Sequence, residues 1–104
     1  MEVCLARVNN KPVMLELKDG VAYIDGEAEP IKGLTEQELG DFQAELDGVP
    51  NTGDEGYEAL LNAIRAAFLA RLMSKAVGDE AIDRLTHILD HVHYDVLKYL
   101  GEAE

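Results

Sequence analysis

Three observations in the sequence predict an α+β fold, with an N-terminal three-stranded antiparallel β-meander followed by three helices packed on one face of the sheet. Residues 1–25 alternate apolar and polar positions in short runs broken by turn signals, Asp19-Gly20 above all. The stretch Tyr57–Val77 is the most apolar of the chain and has helical period. Val77-Gly78-Asp79 then reads as a helix stop followed at once by a helix start, which makes the last two helices an antiparallel hairpin. A chain of 104 residues holds a single domain. Its parts are the meander (1–25), an acidic connector with a short helix (26–56), and the helical hairpin (57–104).

Within the meander the runs are Glu2–Val8, Pro12–Lys18 and Val21–Asp25. A two-residue turn at Asp19-Gly20 sets Leu17 opposite Ala22 and Leu15 opposite Ile24, so that Val13, Leu15, Leu17, Ala22 and Ile24 share the core face. Asn9-Asn10-Lys11-Pro12 closes the first hairpin in more than one register. A three-residue loop puts Val3 and Leu5 inside, and a loop of two or four residues puts Cys4, Ala6 and Val8 there. The first is preferred because it buries the larger side chains. Met14, Val21 and Tyr23 fall on the other sheet face beside Glu16 and Lys18. That mixed face is a candidate second contact surface for a partner or another copy of the chain.

Residues 26–34 read as a connector. Thr35 and Glu38 have the spacing of a capping box and open a short helix of about 12 residues. Leu39, Phe42 and Leu46 face the core, Gly48 is the stop, and Gly40 costs about 1 kcal/mol relative to alanine. The outer face carries Glu38, Asp41 and Glu45 as an acidic ridge.

The central helix has two apolar faces, a bulky one of Tyr57, Leu60, Leu61, Ile64, Phe68 and Leu72 and a small one of Ala59, Ala63, Ala66, Ala70, Met73 and Val77. The small face should let the last helix approach closely, while the bulky face meets the sheet and the short helix. A narrow polar strip of Glu58, Asn62 and Arg65 is expected to remain outside. The last helix, from about Glu80 to Leu100, carries the apolar stripe Ile82, Leu85, Ile88, Leu89, Val92, Val96 and Leu100.

Charge is the strongest compositional signal. The net charge is −12, and residues 26–56 hold nine acids against one base. Phosphate binding requires clusters of Lys and Arg, so direct nucleic-acid binding is disfavoured and a basic protein surface is the expected partner. The start of the chain breaks its apolar run with Glu2 and Arg7, unlike a signal peptide, and no apolar run is long enough to span a membrane. The single Cys4 suits a reducing compartment, so a cytoplasmic protein is expected.

Catalytic patterns are missing: there is no phosphate-binding glycine loop, no G-x-S-x-G and no H-E-x-x-H. No enzyme activity and no cofactor are expected. All three histidines fall within Thr86–Asp95. His87 and His91 lie about 40° apart on the helical wheel, whereas His93 lies roughly 160° from His91. The first two are weak metal candidates, with Asp83 or Asp95 one turn away, but a structural zinc site needs two more ligands. The twelve positions Asp47–Glu58 have the length of a calcium loop, yet Val49 and Thr52 occupy positions that need an oxygen ligand and a glycine.

The function expected is a non-catalytic, acidic protein-binding module. Its contact residues are Glu36, Glu38, Asp41, Glu45, Asp47, Asp54 and Glu55, docking on a basic surface of a nucleic-acid-processing complex. A row of carboxylates can occupy the groove that DNA would, as small acidic inhibitors from phages and mobile elements do. That likeness is one of class, covering inhibitors and nucleic-acid mimics. The alternatives are a structural protein that forms homodimers through Met14, Val21 and Tyr23, and a weak metal binder at His87 and His91.

Overall fold

The computed structural model describes residues 1–103, including every side chain except those of Glu55 and residues 93–103. The strands β1 (Glu2–Val8), β2 (Lys11–Lys18), β3 (Val21–Ile24) and β4 (Glu27–Glu29) form one antiparallel sheet in chain order. Three helices follow: α1 (Glu36–Asp47), α2 (Glu55–Lys75) and α3 (Asp79–Ala103). The α+β architecture expected from the sequence is present, with one strand more.

Each hairpin turns on two residues with positive φ: Asn9 and Asn10, Asp19 and Gly20, Asp25 and Gly26. That backbone twist matches the twist of the strands it joins, and Asn, Asp and Gly adopt it most readily. The third turn corrects the reading of 26–34 as a plain connector. Asp25-Gly26 returns the chain along β3, and Tyr23 pairs with Ala28. A strand reading only Glu-Ala-Glu has no apolar pattern to betray it.

The first hairpin also differs from the three-residue loop expected. Val8 pairs with Lys11 across a two-residue turn, and a bulge lies between Cys4 and Ala6. One extra residue reverses the alternation. Ala6 therefore faces inward near the turn, while Val3, beyond the bulge, faces inward as well; both, and Leu5 between them, are buried. Each of the two registers describes one half of β1. The pairs Leu17–Ala22 and Leu15–Ile24 form as expected.

Thr35 caps α1, its hydroxyl accepting the Glu38 N–H at 3.3 Å, and Leu39, Phe42 and Leu46 are buried. Phe42 stacks on Phe68 of α2 with ring centroids 4.1 Å apart, which ties the short helix to the long one. The segment after β4 is fastened to the end of α2: Ile31 bridges Ala76, Lys32 N–H donates to Lys75 O, and Val77 N–H donates to Pro30 O. These bonds use carbonyls and amides that a helix end otherwise leaves open.

The burial of α2 corrects its expected orientation. Leu61, Arg65, Phe68, Leu69 and Leu72 are buried along one continuous arc. Leu60 is 55% exposed, and Ala63 and Ala70 of the supposed contact face lie in solvent. Of the polar strip, Glu58 stays exposed as expected, Asn62 is half-buried, and Arg65 turns inward to line a cleft with residues of α3 and the first hairpin. Apolarity alone misplaced the arc, because alanines are tolerated at exposed helix positions for their propensity. Val77 and Ile82, expected inside, are also exposed. In α3, Ala81, Leu85, Ile88 and Val92 are buried; Val96 and Leu100 lie outside the described side chains.

Candidate functional site

The acidic middle of the chain divides in two. Asp25, Glu27 and Glu29 of the β3–β4 hairpin gather around Arg84 of α3. The Arg84 guanidinium donates to Glu27 and to Ile24 O at 3.1 Å, and it lies 3.2 Å from Glu29 and 4.0 Å from Asp25. These carboxylates hold the last hairpin against α3. Glu38 is also drawn inward: it accepts from the Thr35 hydroxyl and lies 3.4 Å from Lys75 Nζ. It therefore leaves the outer ridge to which the wheel assigned it.

Glu36, Asp41, Glu45 and Asp47 of α1 are exposed and form no ion pair among the described residues. Asp47 accepts a hydrogen bond from Gln43 at 3.0 Å. Asp54 caps α2, accepting the Tyr57 N–H at 3.2 Å and the Thr52 hydroxyl at 2.7 Å. The Thr52 hydroxyl and then the Tyr57 amide stabilise its anion and hold its pKa below the usual carboxylate value. Glu55 begins α2, but its side chain lies outside those described.

Immediately after α1, Pro50, Thr52, Asp54, Tyr57, Ala59 and Leu60 line a shallow apolar notch of about 440 Å³. The sequence reading assigned Leu60 to the core and so missed it. Leu60 and the notch place apolar surface in the same part of the chain as the unpaired carboxylates. Asp54 stands on the lining of the notch, and an apolar centre with a polar rim is the usual anatomy of a protein contact.

The open sheet face is less coherent. Met14 and Tyr23 are half-buried and Val21 is 39% exposed. Glu16 pairs with Tyr23, and Lys18 pairs with Val21. Charged residues thus interrupt the three apolar ones. Cys4 lies opposite Met14 on this face, its thiol directed at Ala6 O within the bulge.

A third feature joins residues that the sequence kept apart. A polar cleft of about 660 Å³ lies between the first hairpin, α2 and α3, lined by Arg7, Asn9, Asn10, Glu58, Asn62, Arg65, His87, Asp90 and His91. Arg65 is only 9% exposed. Its Nη1 donates to Asn62 Oδ1 at 2.9 Å, Glu58 lies 3.9 Å away, and its Nε is buried with no acceptor among the described residues. His87 and His91 meet edge to face, 4.9 Å between ring centroids. Among the described residues no group of three or more His, Cys, Asp or Glu is placed to hold a metal ion. The side chain of His93 lies outside those described. The one signal in the sequence for this cleft was the polar strip on α2, one charge of which is an arginine amid apolar neighbours.

The chain matches no family model, no curated protein and no solved structure. Among the described residues no helix is long and apolar enough to cross a membrane.

Proposed function

We propose that this protein is a non-catalytic acidic binding module of the cytoplasm that docks on a basic protein surface of the kind that binds nucleic acid. Its contact face is α1 with the loop leading into α2. The observation that carries this reading is the charge of α1: five carboxylates, no base, and four of the five in no ion pair among the described residues. Asp41 and Glu45 repel one another one turn apart. Glu45 and Asp47 occupy the last turn, where the helix dipole disfavours negative charge and no basic residue offsets it. Folding gains little from Asp41 and Glu45, whereas accessible carboxylates are what a Lys- and Arg-lined groove recognises. The notch around Leu60 supplies the apolar anchor that charge alone lacks. A partner whose groove normally holds nucleic acid would be blocked by such a face, which makes an inhibitor or mimic the specific form of the proposal.

Titration with a synthetic peptide of spaced Lys and Arg residues and a single Phe tests it. Binding should weaken as salt rises. It should be lost when Glu36, Asp41, Glu45 and Asp47 are changed together to their amides, and kept when Glu2, Asp19, Glu80 and Asp83 are changed instead. Leu60→Ser should weaken binding without unfolding the protein, since Leu60 lies outside the core. Equal loss in the two fourfold variants would reduce the effect to net charge and refute the reading.

A further inference from the structure

We propose that the cleft over Arg65 is a binding site for an oxyanion, the phosphate or carboxylate group of a small molecule that also carries hydroxyl or amino groups. The site is distinct from the acidic face of α1, and the proposal stands without it. Among the described residues Arg65 is a cation buried with incomplete partners: Nη1 is engaged by Asn62, the nearest carboxylate is 3.9 Å away, and Nε has no acceptor. With Nη1 engaged and Nε enclosed, Nη2 is the guanidinium donor left to meet a ligand oxygen, a charge-assisted contact that carboxylate and phosphate both accept. Because Asn62 Oδ1 already accepts from Arg65, its amide N–H group is the half available to a ligand.

The rest of the lining has the same character. Arg7 enters from β1, where its Nη2 donates to Asn10 O at 3.2 Å and holds the guanidinium over the turn. His87 and His91 add imidazole groups from α3. In a chain of net charge −12 with nine basic residues, two arginines line one cleft. Glu58 and Asp90 stand on the same walls as hydrogen-bond acceptors. They can accept from donors that a ligand carries beside its anionic group, which is why the class is narrower than phosphate or carboxylate alone.

The test is a titration of isotope-labelled protein followed by NMR, with inorganic phosphate and acetate as probes and sodium chloride at matched ionic strength as the control. Saturable shifts are expected at the Arg65 Nε–H resonance and at the side-chain amide of Asn62, with phosphate, acetate or both. Saturation by one probe alone assigns the anion to that source. Arg7→Ala removes a charged donor from an exposed position and should weaken binding about tenfold. Arg65→Lys keeps the charge, removes the planar guanidinium with its bond to Asn62, and should weaken it at least as much. If Arg65→Lys does not fold, the Arg7 variant decides. Shifts that chloride reproduces, shifts that Arg7→Ala leaves unchanged, or no saturable response to either probe would overturn the proposal.

Discussion

Two groups of carboxylates lie close together in the chain and stand in opposite surroundings. Asp25, Glu27 and Glu29 surround Arg84, and the Glu29 side chain is only 10% exposed. Glu36, Asp41, Glu45 and Asp47 stand in solvent on a helix without a single base. The first group is part of the fold. In the second, like charges one turn apart and the C-terminal end of the helix work against Asp41, Glu45 and Asp47. Acidity in the sequence is therefore two quantities, and only the ion pairs separate them.

That contrast is easiest to break at Arg84. Arg84→Ala leaves a mostly buried Glu29 without its ion partner and removes a donor from the Ile24 carbonyl. Stability should fall by about 2 kcal/mol, a drop in melting temperature on the order of 10 °C for a domain this small. A drop no larger than that of an exposed pair would mean the hairpin holds without its clamp. The opposite sign is expected on α1. Changing Asp41, Glu45 and Asp47 to amides should raise stability by about 0.5–1 kcal/mol in chemical denaturation.

Glu38 lies between the two groups, on α1 but bound to Lys75. Glu38→Gln should cost about 0.5 kcal/mol, the usual worth of a partly exposed pair. It should thereby part company with its neighbours on the same helix. Asp54 gives the smallest effect, and it is read by pH. Its pKa is lowered in the folded state, so its contribution is present above the ordinary carboxylate value and is lost as pH falls through the lower folded value. Melting curves taken across that acid range should show a slightly smaller loss for Asp54→Asn, whose amide still caps the helix, than for the native protein.

The sequence was legible where local chemistry dictates geometry. Asp19-Gly20 fixed the register of Leu15 and Leu17 against β3, and Thr35 with Glu38 located the start of α1. The first hairpin resisted because its bulge depends on Leu5 and Val3 both finding the core, a tertiary event with no local marker. The acidic face was visible as composition, but which carboxylates belonged to it was not. Glu38 left for Lys75, thirty-seven residues away in the chain, and no pattern on its own helix foretold that. The cleft was invisible for a related reason. Arg65, Arg7 and His91 come from three elements, and the inward turn of α2 that unites them is set by packing rather than by its own periodicity.

The central claim is that the exposed, unpaired carboxylates of α1 are kept for a partner and not for the fold. Stability and affinity for the basic peptide, measured on the same fourfold variant of Glu36, Asp41, Glu45 and Asp47, test it most directly. The account predicts that stability rises or holds while affinity is lost. A variant that loses stability, or that binds the peptide as tightly as the native protein, would contradict it.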